Sequence, residues 1–190
     1  MSKSDPIGNI YITSKARMVA EARLKHADLM SQVLMAWYSV CLIAISLLDL
    51  SQTFRVRDVS VMTAILSVAV LATSIFIPGQ NFGMRAAGFR NCYLQLQQIY
   101  GSAETDDAKK VAYTEALPQF ENHLQRDYEW VLYQSWLFGK PLADADGPVE
   151  VTRGIILKSI IRVAMRWSVL ASLFVAPVAF GYLLLLPRQV

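Results

Sequence analysis

The stretch "VSVMTAILSVAVLATSIFIP", Val59 to Pro78, holds 20 residues and no charge. About 20 apolar residues at 1.5 Å rise each cross a hydrocarbon core of about 30 Å. In hydrocarbon every backbone N–H and C=O needs a partner within its own segment, so the stretch is a helix rather than an isolated strand. Two further segments flank it. "WSVLASLFVAPVAFGYLLLL", Trp167 to Leu186, is also 20 residues long and uncharged, and "VLMAWYSVCLIAISLL", Val33 to Leu48, has 16 and reaches spanning length with its flanks. Spans are expected at about 31–50, 59–78 and 167–186, with Trp37, Tyr38, Trp167 and Tyr182 toward their ends, where aromatic rings favour the interface.

The composition agrees. Of 190 residues, 54% are hydrophobic and 17% charged, where a soluble domain has about 25% charge; the mean hydropathy is +0.34. A net charge of +3 gives no concentrated basic face, so sequence-specific nucleic-acid binding is not expected. Cys41 and Cys92 lie too far apart in sequence, in apolar or helical surroundings, to form a disulfide framework or a metal-binding spacing. The first thirty residues mix both signs of charge and lack an apolar core with a cleavage site, so insertion is expected to rest on the spans themselves.

Lys and Arg counts set the orientation of short loops. Lys3, Lys15, Arg17, Arg23 and Lys25 precede the first span, and ten Lys and Arg lie between Gly79 and Arg166. The connection "DLSQTFRVRD" has only Arg55 and Arg57, and the tail only Arg188. A membrane protein is expected, with a cytoplasmic N-terminus, a cytoplasmic helical region over 79–166 and a C-terminus on the opposite side.

The flanks read as helix. Ser14 suits an N-cap, Arg17/Glu21 and Glu21/Lys25 are i,i+4 pairs, and no Pro or Gly interrupts the run into the first span. "GQNFGMRAAGFRNCYLQLQQIY" is helical to Tyr100. Helical periodicity continues from Asp106 to Leu137, with Pro118 kinking or splitting it. "GKPLADADGP" is a turn-rich loop; its Asp144–Gly147 resembles part of a calcium loop but lacks the bidentate glutamate. Asp146, Pro148 and Glu150 suit the start of a helix running into the third span. The expected fold is an all-α membrane protein: a transmembrane hairpin plus a C-terminal span, continuing as long helices into a cytoplasmic bundle.

Three constellations stand out. Glu121, Asn122, His123, Asp127 and Tyr128 form a polar cluster. Read as one helix, His123 and Asp127 sit i,i+4 and bond each other beside the apolar stripe of Leu124 and Tyr128. A metal site would need a further strong ligand, for which His26 is the only other histidine; a structural or gating face is the expectation, with no metal, no cofactor and no catalytic residue, since no nucleophile–base pair or phosphate loop is evident. Gly79, Gly83 and Ala87, and again Ser168, Ser172 and Ala176, place small residues at i, i+4, i+8, which lets helices approach closely within one subunit or between subunits. Arg153, Lys158, Arg162 and Arg166 precede the third span, where basic residues meet lipid headgroups or an anionic effector. The spans contain no buried Asp, Glu, Lys or Arg, which argues against a pump or secondary transporter.

The "ARLKHADLMSQVLMAWYSVCLIAISLL" entry, the tight hairpin, "ENHLQRDYEW" and the late third span together resemble the SLATT-domain family across about Arg17 to Leu186. These are small bacterial membrane effectors of antiphage and conflict systems, and the pattern is most similar to the subgroup with an extra C-terminal transmembrane helix. The resemblance implies one SLATT-like domain over residues 1–190, and makes the membrane the bacterial inner membrane and the side of the C-terminus the periplasm. It also implies a non-enzymatic effector that homo-oligomerises and permeabilises the membrane. The trigger would be a nucleotide or nucleic-acid signal from a partner, a reverse transcriptase or nucleotidyltransferase encoded nearby. The competing expectation is a membrane anchor that recruits a cytoplasmic partner without forming a pore.

Overall fold

The computed structural model describes residues 7–51, 59–144 and 147–185. The connection carrying Arg55 and Arg57, residues 145–146 and the tail with Arg188 lie outside them. The described chain is helical apart from short connections: α1 Gly8–Leu50, α2 Val59–Gly79, α3 Phe82–Gly101, α4 Asp106–Ala116, α5 Gln125–Leu137 and α6 Arg153–Leu185, with a two-residue ladder of β1 Ala143–Asp144 and β2 Gly147–Pro148. Three helical runs are long and apolar enough to cross a membrane: α1, the α2–α3 pair, and α6. The chain divides into two compact units, one from Met1–Ala27 and Phe82–Val163, the other from Asp28–Asn81 and Ala164–Val190.

The first unit is built on the N-terminal part of α1. Ala20 and Leu24 pack against Ala86 and Phe89 of α3, and Ile10 packs with Cys92, Leu96 and Ala116. This burial explains why α1 starts at Gly8 and not at Ser14, which lies buried inside the helix: stopping at Ser14 would forfeit the buried Ile10 and Ile12. Thr105 caps α4 by accepting from the Ala108 N–H at 3.3 Å, and Asp106 and Asp107 occupy its first turn, where carboxylates complement the helix dipole. The buried Lys109 donates to the Tyr100 carbonyl at 3.0 Å.

The expected Asp106–Leu137 helix is split. α4 ends at Ala116, Leu117–Gln119 form a single 3₁₀ turn, and residues 121–124 are not helical. Pro118 has no N–H to give to Thr114 and its ring crowds that carbonyl. α6 likewise begins at Arg153 rather than near Asp146. Gly147 sits at φ 124°, a conformation incompatible with a helix, and Val149 donates to the Leu142 carbonyl at 2.9 Å, closing the ladder instead.

The second unit holds the uncharged stretches. α1 and α6 run the same way: Trp37 and Tyr38 meet Phe174 and Leu173, and further on Ile45 packs with Leu184. α2 runs opposite, with Val59 at its start against Ile45. Pro177 inside α6 leaves the Leu173 carbonyl without its i+4 donor, and the Tyr38 hydroxyl donates to that carbonyl at 3.0 Å. Tyr38, expected at the interface, thus supplies the hydrogen bond that Pro177 removes from the helix in hydrocarbon. The Trp37 indole N–H donates to the neighbouring Phe174 carbonyl at 3.0 Å. α2 ends at Gly79, and Asn81, at φ 50°, turns the chain before α3; asparagine tolerates the left-handed region better than most residues.

Candidate functional site

The polar cluster assembles in the first unit, with different partners from those the periodicity suggests. Because residues 121–124 are not helical, His123 and Asp127 do not form an i,i+4 pair. Asp127 lies in the first turn of α5 and is 1% exposed. Its carboxylate accepts from Arg23 Nε at 2.8 Å and Nη2 at 3.1 Å, a bidentate charge-assisted pair. It also accepts the Leu124 N–H at 3.1 Å, so the same group caps α5. Glu129 holds Arg162 of α6 at 2.7 Å. Glu121 accepts from Arg85 of α3, which holds the Glu121 carboxyl below its usual range; both side chains are exposed, so this pair contributes little to stability.

Arg17 of α1 is 1% exposed, and its guanidinium donates to the Cys92 sulfur while its Nε finds no partner among the described residues. Burial pushes the Cys92 thiol up, against the opposing pull of Arg17, so the arginine faces a neutral acceptor. The His123 Nδ1 is buried and likewise unpartnered. Burial, and then the charge of Arg17, lower the His123 pKa, opposed by Asp127. Burial lowers the pKa of Arg126 and raises that of Tyr128, the latter aided by Asp144. Asn122 is exposed. No group of three or more His, Cys, Asp or Glu lies together among the described residues, so His123 and His26 are not joined by a ligand set.

The lowered His123 pKa fixes the sign of a pH effect. The unfolded state binds the proton more readily than the folded one, so stability rises with pH in that window. Stability should be constant above about pH 6.5, the ordinary histidine value, and fall as pH drops from there toward the lower folded-state value. Thermal unfolding of detergent-solubilised protein between pH 7.5 and pH 5 should show this slope, and His123→Gln should flatten it. An unchanged slope in His123→Gln would assign the effect to other groups.

The small-residue positions do not pack within the chain. A Cβ added at Gly79 or at Gly83 would meet nothing within 4 Å, and Ala87, Ser168, Ser172 and Ala176 are exposed. The turn at Asn81 places Gly79 in α2 and Gly83 and Ala87 in α3, so the first set is not one helical stripe. Of the basic set, Arg162 is engaged by Glu129, while Arg153, Lys158 and Arg166 are exposed without an ion pair to a described residue.

A family model matches residues 6–186, which include the apolar hairpin, the helices carrying these pairs and α6. The chain belongs to the SMODS and SLOG-associating 2TM effector domain family 5, SLATT_5. No similar curated protein and no similar solved structure is found. The SLATT resemblance read from the sequence is thus correct. Membership makes this SLATT protein a membrane effector domain of conflict systems, linked by its family name to SMODS and SLOG. The family name counts two transmembrane helices, and the matched residues here also include the third apolar helix, α6.

Two features escaped the sequence reading. Arg23 and Asp127 are 104 residues apart, and no local pattern links them. Arg17 was legible in principle: it shares a face with Ala20 and Leu24, and a charge on an apolar stripe signals a buried partner.

Proposed function

We propose that this SLATT protein is a non-enzymatic effector of an antiphage system that assembles into homo-oligomers and permeabilises the inner membrane. Its trigger is a nucleotide or nucleic-acid signal from a partner enzyme, a nucleotidyltransferase or reverse transcriptase encoded nearby. The carrying observation is the exposure of the spans: in the most apolar windows of α1 and of the α2–α3 run only 6% of residues are buried inside the chain, and in α6 11%. Three spans without a central charge enclose no water-filled path alone, and the exposed small-residue positions Gly79, Gly83, Ala87, Ser168, Ser172 and Ala176 offer close-approach surfaces to further copies.

The test is membrane potential, followed with a potential-sensitive dye in cells co-expressing the partner gene. Depolarisation should accompany growth arrest. Gly83→Leu, which adds bulk at a position facing open space in the single chain, should abolish it while insertion persists. Arrest with an unchanged potential would favour the alternative, an anchor whose recruited partner does the harm. The proposed orientation is cytoplasmic N-terminus and periplasmic C-terminus, from the Lys and Arg distribution. A reporter fused after Val190 should be periplasmic and one inserted at Asp144 cytoplasmic; the reverse pair of signals would overturn it.

A further inference from the structure

The second unit contains a groove of about 330 Å³ between α1, α2 and α6, lined by Leu34, Met35, Tyr38, Val70, Ile77 and Leu173 among others. That volume lies within the range of ligand pockets. Its hydroxyls are already committed. Ser31 donates to the Asp28 carbonyl and Thr73 to the Ala69 carbonyl, each within its own helix, and Tyr38 donates to the Leu173 carbonyl. Each hydroxyl has spent its one proton and keeps only acceptor lone pairs, and the rest of the lining is apolar, so the groove suits hydrocarbon better than ordered water.

Charge lies at one end only. Ser31, Met35 and Tyr38 form one face of α1, and Asp28 continues that face one turn before Ser31. Leu173 is level with Tyr38, which bonds its carbonyl. Since α1 and α6 run the same way, Arg166, seven residues before Leu173, is on the groove face of α6 and at the same end as Ser31 and Asp28. Arg166 is exposed, and neither its guanidinium nor the Asp28 carboxylate has an ion pair with a described residue. An apolar slot capped by one cation and one anion matches a lipid with a phosphate and a hydrogen-bonding ammonium.

We propose that the groove is a binding site for an aminophospholipid of the phosphatidylethanolamine type. One acyl chain fills the slot, the phosphate meets Arg166 and the ammonium meets Asp28. The site rests on α1, α2 and α6 lying in a membrane and is independent of permeabilisation. A purely anionic lipid leaves Asp28 opposed, and a choline lipid offers it no N–H donor.

The full chain, purified in detergent, is incubated with phosphatidylethanolamine, phosphatidylcholine or phosphatidylglycerol of the same dioleoyl composition, and retained lipid is counted by native mass spectrometry. Wild type should retain phosphatidylethanolamine about fivefold over either other lipid, the effect expected of one ionic contact near a membrane surface. Asp28→Asn should remove that preference, and Arg166→Gln should lower retention of all three. Val70→Trp and, separately, Leu34→Trp should abolish retention by filling the groove. The proposal is overturned if phosphatidylglycerol is retained as well as phosphatidylethanolamine, or if Asp28→Asn leaves the preference intact. It is equally overturned if the groove-filling variants dissociate the oligomer without changing lipid retention, which would make the occupant a second copy of the chain.

Discussion

Replacing Arg23 by alanine should cost more stability than replacing Asp127, although both substitutions break the same two hydrogen bonds. The reason is what each leaves behind. The Asp127 side chain is 2% exposed and that of Arg23 22%. Arg23→Ala strands a carboxylate in the interior of the helical unit, where losing one partner of a buried ion pair costs about 3–5 kcal/mol. Asp127→Ala strands a guanidinium that reaches water, so the loss is that of charge-assisted hydrogen bonds and a helix cap, about 2–3 kcal/mol. Asp127→Asn keeps an acceptor for the Leu124 N–H and should fall between wild type and Asp127→Ala. The double variant should be less destabilised than the sum of the singles, because the two share one interaction. Helicity followed against temperature in detergent would rank the four variants. An additive double variant, or Asp127→Ala costing more than Arg23→Ala, would mean that the pair is not what joins α1 to α5.

That pair marks the boundary of what the sequence makes legible. The spans were readable because an uncharged run such as Val59–Pro78 has one physically acceptable state in hydrocarbon, and no distant residue can change it. The continuity of α1 was readable for a similar reason, since nothing between Gly8 and Leu50 breaks a helix. The polar cluster was readable as composition and not as geometry. Its residues Glu121 and Asp127 do bind arginines, but on α3 and α1 respectively, and Glu129, outside the expected cluster, binds Arg162 of α6. The expected His123–Asp127 pairing presumed a helix through 121–124, where Pro118 had already ended one. The small-residue positions show the opposite case: their spacing was visible, but which surface they serve depends on the turn at Asn81, whose left-handed backbone no periodicity announces.

Gly8→Ala should detach the β1–β2 ladder from the start of α1. A Cβ at Gly8 would lie well inside contact distance of the Ala143 carbonyl oxygen, with Ala143 C and Asp144 Cα at 3.0 Å. The obstacle is backbone on both sides, so no side-chain rotation relieves it. Either the first turn of α1 unwinds, loosening Ile10 from Cys92 and Leu96, or the segment from Leu142 to Val149 moves away. Overpacking of this kind costs about 1–3 kcal/mol. Hydrogen exchange separates the two responses. If the ladder moves, the Val149 amide, held by the Leu142 carbonyl at 2.9 Å, should lose protection while Ile12 and its neighbours keep theirs. If α1 frays, the order reverses. Gly88→Ala is the control: a Cβ there meets nothing within 4 Å, and removing a mid-helix glycine from α3 should stabilise by about 0.5–1 kcal/mol. Equal, neutral behaviour of Gly8→Ala and Gly88→Ala would show that β1 does not rest on α1 in solution.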